Sequence, residues 1–242
     1  MGQAGGVPAT DQELGAAFAR IRASIEAGDT DLQSLGFWRA LKQVKIDPEL
    51  SERWADAAGA IDRAAFEARV RRRFPVWFGN LVMLAETAFG VAALVVALRV
   101  SDRTVAGVAL VVAGGTWTVS LHCLAHWVVG RLFGIRFTSY FVGGPPPPRP
   151  GLKTDYATYL RADPGARAWM HASGALASKA APFIALAFYP VSNAPGWAAW
   201  VLVGIGLVTI ATDVLFSRTS SDWKKVIRER NIARARQDRR AA

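Results

Sequence analysis

A segment of 27 residues without any charged side chain, Thr104 to Gly130, constrains the fold of this chain more than any other feature. About 20 predominantly apolar residues are enough to cross the hydrocarbon core of a bilayer. Three further stretches are long and apolar enough to do the same. We therefore predict an all-α integral membrane protein with four transmembrane helices in a lipid bilayer. The predicted spans cover residues 77–98, 105–129, 171–190 and 197–216.

The basic residues lie mostly outside these spans and give the 242-residue chain a net charge of +10. Three arginines precede the first span at residues 71–73, six basic residues lie between the second and third spans, and nine follow Phe216. Short loops rich in lysine and arginine remain in the cytoplasm. We therefore predict a multi-pass protein of the cell membrane whose two termini and central loop are cytoplasmic.

Composition divides the chain into three regions. Residues 1–73 are predicted to form a helical cytosolic region, and because eleven basic residues balance eleven acidic ones there, we expect no nucleic-acid partner. Residues 74–217 are predicted to form the four-span membrane domain. Residues 218–242 are predicted to form a basic cytosolic helix near anionic lipid, where each basic residue contributes about 1 kcal/mol.

The central loop carries two further signals. The alternation of apolar and polar residues in IRFTSYFVGG predicts a short strand at the membrane surface after the second span. Four consecutive prolines, Pro145 to Pro148, impose an extended polyproline conformation. We interpret this run as a stiff spacer, with a recognition motif for a proline-binding domain as the alternative.

Ionisable side chains inside the predicted spans are few, and such groups usually face the protein interior and mark function. They are Glu86, His122, His126, Lys179 and Asp213, with His171 at the entrance of the third span. At 1.5 Å per helical residue from the nearest cytoplasmic charge, His126 and Asp213 lie at the same depth of about 7 Å. His122 lies one turn deeper, at about 13 Å, and the other two lie deeper still, at roughly 18–20 Å.

The two histidines and the aspartate form a candidate metal site. His122 and His126 lie on one face of one helix, so that both imidazoles can reach a single ion. Asp213, on another helix at a similar depth, would supply a third ligand. Three protein ligands with an open position are typical of catalytic zinc, and the same set also suits non-haem iron. The alternative is a pair of buried histidines that hydrogen-bond to Thr or Ser of neighbouring helices.

The deeper pair of charges has a simpler interpretation. We predict that Glu86 and Lys179 form an ion pair that joins the first span to the third. Two alternatives give Glu86 a role at the metal, either as a displaced catalytic base or as a fourth ligand.

The passage HCLAHWVVGRLFGIRFTSYFVGG resembles the core of the site-2 protease family of intramembrane metalloproteases. In that family a helix with an HExxH motif is followed by a GI-type stretch, a short strand and a GG. Downstream, RAWMHASGALASKAAPF is similar to the segment in which an AGPxxN motif opens the next span. On this matching, Asp213 in ATDVLF corresponds to the aspartate of the LDG motif. The resemblance covers about residues 77–217 and implies a zinc site formed by His122, His126 and Asp213.

The chain also departs from the family pattern. Cys123 stands where the family has its catalytic glutamate, no proline follows Gly174, and no glycine follows Asp213. A thiol is a poor substitute for a carboxylate base, and loss of a positioned base typically costs about 10²- to 10⁴-fold in rate. The resemblance therefore implies the family's fold and metal site, without its usual proteolysis.

Three functional hypotheses follow. The first is a site-2-protease-like metalloprotein that binds or regulates a membrane protein partner. The second is an active, divergent intramembrane peptidase that cuts a transmembrane substrate with Glu86 or another base. The third is an accessory subunit of a membrane electron-transfer complex. Haem itself is disfavoured, because His122 and His126 face the same way and the chain has no CxxCH motif.

Overall fold

The computed structural model describes residues 10–143, 149–216 and 221–241 of the chain. Within these ranges the backbone is mostly helical, with one small sheet. In chain order the elements are α1 (Asp11–Glu26), α2 (Phe37–Ile46), α3 (Pro48–Arg69), β1 (Arg73–Phe74), α4 (Val76–Arg99), α5 (Arg103–Leu132), β2 (Phe137–Gly143), β3 (Arg149–Thr154), α6 (Tyr156–Arg161), α7 (Pro164–Ala187), a 3₁₀ turn (Tyr189–Val191), α8 (Gly196–Phe216) and α9 (Asp222–Ala241).

The four predicted spans are confirmed as four helices that are long and apolar enough to cross a membrane: α4, α5, α7 and α8. α7 begins at Pro164, before the predicted span. The reason is a local cap, because the Asp163 carboxylate accepts a hydrogen bond from the Gly165 amide and proline occupies the first helical position. α5 has 30 residues. Its length of about 45 Å exceeds the roughly 30 Å of the hydrocarbon core, so α5 is more than long enough to cross it.

α5 lies at the centre of the membrane domain and packs against α4, α7 and α8. Small residues allow this close approach. A Cβ at Gly90 would lie 2.4 Å from Trp117 Nε1, and one at Gly114 would lie 2.6 Å from Leu202 Cδ2. The Trp117 indole N–H also donates to the Thr87 carbonyl oxygen at 3.1 Å. Packing around small residues is the usual way in which membrane helices associate, since lipid is as apolar as their side chains.

A three-stranded antiparallel sheet, with the order β1-β2-β3, makes the fold less purely helical than the sequence predicted. β2 is the predicted strand, whereas β1 and β3 form because they pair with its two edges. The Tyr140 ring of β2 lies over Gly79 of α4, and its hydroxyl donates to Asn80 Oδ1 at 2.9 Å. These contacts attach the sheet to the first membrane helix. The predicted polyproline run, Pro145 to Pro148, lies outside the described residues.

The first three helices share one hydrophobic core, which includes Phe37 and Leu41 of α2 and also Leu160 of α6. A buried ion pair of 2.5 Å between Asp62 of α3 and Lys153 of β3 adds a second connection. The amino-terminal region therefore packs directly on the loop region that follows the second span.

The C-terminal helix α9 is also part of the fold. Its Val226 is buried against Ala168 and Ala172 of α7, and Glu229, one turn further on, has no exposed surface. α9 also contacts α2. Although the helix is strongly basic, one of its faces is thus buried between the membrane domain and the amino-terminal helices.

Candidate metal centre

Two histidines of α5 and one aspartate of α9 come together in what we call the His/His/Asp cluster: His122, His126 and Asp222. The two histidine Nε2 atoms lie 3.2 Å apart. Asp222 Oδ2 lies 3.2 Å from His126 Nε2 and 3.5 Å from His122 Nε2. The three atoms form a nearly equilateral triangle.

The triangle has the size that a tetrahedral zinc ion requires. Zinc binds histidine nitrogens and carboxylate oxygens at about 2.0–2.2 Å, which places two ligands of a tetrahedral site about 3.3–3.5 Å apart. The observed separations of 3.2, 3.2 and 3.5 Å match that spacing closely. The three atoms can therefore hold one ion and leave a fourth coordination position open.

Contacts with α7 fix the ring of His126. Its Nδ1 lies 2.6 Å from the Met170 carbonyl oxygen, which can only accept, so Nδ1 carries a hydrogen and donates it. In the neutral ring, Nε2 then has a free lone pair that faces the cluster, as is usual for a metal-binding histidine. Gly174 makes the approach of α7 possible, since a Cβ at this position would lie only 2.3 Å from His126 Nε2.

Asp222 is the first residue of α9, and the partial positive charge of a helix N-terminus favours a carboxylate. Its Oδ1 accepts a hydrogen bond from Lys225 Nζ at 2.9 Å, while Oδ2 faces the histidines. Burial opposes ionisation, but the contact with His126 and the charge of Lys225 outweigh it and hold the pKa of Asp222 well below its usual value. The carboxylate is therefore ionised at neutral pH and able to bind a cation.

The cluster lines a cavity of 270 Å³ between α5, α7, α9 and the sheet. Among the described residues that line this cavity, Asp222 is the one carboxylate, so no second acid is placed beside the ligands as a general base. Cys123 lines the cavity at its edge and is buried against Met83 and Tyr140. The residue that follows the first histidine of the cluster is thus a packed thiol.

The structure places Asp213, the aspartate chosen from the sequence, outside the cluster. It lies on α8 and accepts a hydrogen bond from Lys179 of α7, whose ammonium also donates to the Ala175 carbonyl oxygen at 2.9 Å. Lys179 does not pair with Glu86, the partner that the sequence predicts. Because α7 packs along α8, Lys179 reaches Asp213 instead. A matching depth along two helices does not make their side chains point to the same place.

Glu86 and His171 complete the set of predicted polar residues. Glu86 does not line the cavity and makes no hydrogen bond or ion pair with any described residue, so neither role at a metal gains support from a contact. His171 does line the cavity. Its Nδ1 lies 3.9 Å from Asp222 Oδ1, and its Nε2 lies 3.0 Å from the Tyr159 hydroxyl.

Sequence reasoning missed Asp222 because it follows the last span and belongs to a segment with nine basic residues. A signal was nevertheless present. Asp222, Val226 and Glu229 recur at i, i+4 and i+7, which places two acids and an apolar residue on one face of the helix. In a basic amphipathic helix that lies on a lipid surface, acidic residues would not be expected on the apolar face.

A buried ion network anchors α9 about two helical turns beyond Asp222. The Glu229 carboxylate lies 2.8 Å from Lys45 Nζ of α2 and 2.8 Å from Arg167 Nε of α7, and it accepts a hydrogen bond from the Tyr159 hydroxyl at 3.0 Å. Because Tyr159 also contacts His171, this network continues towards the cavity. The amino-terminal region therefore helps to hold the helix that presents Asp222.

We compared the chain with protein-family models, with curated proteins and with solved structures. None of the family models, curated proteins or solved structures matches it.

Proposed function

We propose that this protein is a membrane metalloprotein of the site-2 protease type that binds or regulates a membrane protein partner. Its His/His/Asp cluster holds a divalent cation, with zinc as the first choice and iron as the alternative. One observation carries the proposal. Ligand atoms from two helices that are distant in the chain lie 3.2–3.5 Å apart, at the spacing of a tetrahedral site.

Electrostatics supports a bound cation. When His126 donates from Nδ1 to Met170, its Nε2 lone pair faces the Asp222 carboxylate at 3.2 Å. Two acceptors at that distance repel each other unless a cation or a proton lies between them. A cation satisfies all three ligand atoms at once, whereas a single proton on His126 Nε2 must be shared between His122 Nε2 and Asp222 Oδ2, both at 3.2 Å.

The lining of the cavity argues against ordinary proteolysis. A zinc ion would polarise a carbonyl group and activate water, but peptide hydrolysis also requires a group that moves the proton. Cys123 occupies the position of the family's base and is buried, and Glu86 does not line the cavity. The retained fold and ion then serve to recognise a partner. The cytoplasmic side of the membrane, which the positive-inside rule assigns to the cluster, is where we expect that partner to bind.

Metal binding by the purified full chain tests the proposal. We expect close to one equivalent of zinc per chain after titration in detergent, with His122→Ala and Asp222→Ala each losing it. Asp238→Ala is the matched control, because it removes an exposed carboxylate from the same helix. Wild-type protein that binds neither zinc nor ferrous iron would refute the proposed metal site.

A cleavage assay separates the regulatory function from the peptidase hypothesis. Wild type and the Glu86→Gln variant are incubated with a transmembrane-segment substrate in liposomes. We expect no cleavage above the level of the His122→Ala variant. Cleavage that requires both His122 and Glu86 would show an active peptidase with a displaced base and would overturn the regulatory part of the proposal.

A further inference from the structure

A groove of 720 Å³ lies between α2 and α9 and shares no lining residue with the cavity of the His/His/Asp cluster. Basic side chains form one part of its lining, and no described acid lines it. These basic residues are Lys42, Lys45, Lys224 and Arg228. Apolar and aromatic side chains form much of the rest, including Trp38, Leu41, Ile227 and Ile232. The groove therefore suits a ligand that combines a negative charge with an apolar body.

Charge is unbalanced behind this groove. One carboxylate, Glu229, faces three cations: Lys45 at 2.8 Å, Arg167 at 2.8 Å and Arg228 at 3.1 Å. Arg167 is fully buried, and apart from the ion pair of its Nε with Glu229, its Nη2 has no hydrogen-bond partner among the described residues. One carboxylate thus stands against three basic side chains, of which Lys45 and Arg167 are buried and Arg228 is 47% exposed. Lys45 and Arg228 line the groove, so this excess of positive charge attracts an anion from the groove side.

The state of Lys45 agrees with this imbalance. Burial, with smaller effects from Arg228 and Arg167, lowers the pKa of its ammonium to about 7, against the opposing effect of Glu229. A negative group in the groove would stabilise the charged form of Lys45.

We propose that the groove binds the phosphate headgroup of an anionic phospholipid. The phosphate lies among the four basic side chains, and an acyl chain lies against the apolar wall. Ile227 is 50% exposed and Trp38 is 38% exposed, so this wall is open to cover by a lipid chain.

The height of the groove favours lipid over a soluble anion. Asp222 contacts two histidines of the membrane helix α5, and Ile227 and Arg228 follow it by about 8–9 Å along α9. The headgroup region extends about 5–7 Å beyond each side of the hydrocarbon core. Glu229, behind the groove, also pairs with Arg167 in the first turn of α7, which places the groove at the end of this apolar helix and not beside its middle. A free phosphate ion would make no use of the apolar wall.

Lipid binding to the full chain in neutral detergent tests this proposal. Native mass spectrometry measures the Kd of added phosphatidylglycerol, with phosphatidylcholine as the uncharged reference. Wild type is expected to bind phosphatidylglycerol more tightly. In Lys42→Gln/Lys224→Gln that preference should weaken by about fivefold for each lysine, or about 30-fold in all. Arg230→Gln/Arg234→Gln is the matched control, since it removes two exposed charges from α9 outside the groove.

A second variant keeps the test valid if the lysine variant is poorly folded. Asn231→Glu places a negative charge on an exposed position of the groove wall and should abolish the preference for phosphatidylglycerol. Equal loss in the arginine control, or unchanged binding in both groove variants, would overturn the proposal. Competition by millimolar inorganic phosphate as effective as that by the lipid would also overturn it, by showing a site for soluble anions.

Discussion

Substitution of a single glycine should remove the metal and leave the fold in place. In Gly174→Ala, the added Cβ would lie 2.3 Å from His126 Nε2 and 2.5 Å from Cδ2 of the same ring, whereas ordinary contact begins near 3.4 Å. The imidazole must therefore retreat by about 1 Å. A metal ligand tolerates a displacement of only about 0.2 Å, so the Nε2 atom of His126 can no longer bind an ion held by the other two ligands.

The expected loss of zinc affinity can be estimated from the known effects of disturbing a metal ligand. Loss of a group that merely orients a ligand typically costs about 10- to 100-fold in metal affinity, and displacement of the ligand itself should cost at least that much. The free energy of unfolding should change less than the free energy of zinc binding. Overpacking costs about 1–3 kcal/mol, and the higher helix propensity of alanine returns up to about 1 kcal/mol.

The assay is a zinc titration of the full chain in detergent together with its thermal unfolding midpoint. Gly204→Ala in α8 is the matched control, because a Cβ at that glycine has no neighbour within 4 Å. We expect the control to bind zinc as wild type does and to be slightly more stable. If Gly174→Ala binds zinc with the wild-type affinity, then His126 is not a ligand in the arrangement described, and the reasoning fails.

Two further predictions concern the acids of the last two helices. Measured by metal content, the Asp213→Asn variant should keep its zinc and the Asp222→Asn variant should lose it. The reason is that Asp213 pairs with Lys179, whereas Asp222 faces the histidines. The reverse result would show that Asp213, the residue predicted from the sequence, is the ligand. For Glu229, burial opposes ionisation but Lys45 and Arg167 lower its pKa from 4.5 to about 2, so its contribution to stability is present above pH 4.5 and is lost as the pH falls towards 2. That contribution is on the order of 3 kcal/mol. The thermal unfolding midpoint of wild type should therefore fall as the pH is lowered through this range, whereas that of Glu229→Gln should be lower at neutral pH and depend less on pH. Parallel pH dependences of the two midpoints would contradict the assigned ion network.

Part of the candidate site could be predicted because it depends on local sequence. The spacing of His122 and His126 fixes both rings on one face of α5 whatever the rest of the chain does. The choice of Asp213 relied on depth alone, and depth does not determine the direction in which a helix presents a side chain. Because α7 packs against α8, Asp213 forms an ion pair with Lys179. Because α9 packs back against α7, Asp222 lies beside the two histidines instead.

The sequence by itself determined the four apolar helices and the strand β2, because hydropathy and alternation act over short stretches of chain. It also determined that a cysteine, and not an acid, follows the first histidine of α5. Only the tertiary structure decided which acid completes the cluster, where Lys179 finds its partner, and that the basic helix α9 carries a buried acidic face. Each of these depends on contacts between residues that are far apart in the chain, such as Lys45 with Glu229. Such contacts are set by the packing of whole helices. The local pattern of α9 can indicate an acidic face, but it does not specify which residues that face contacts.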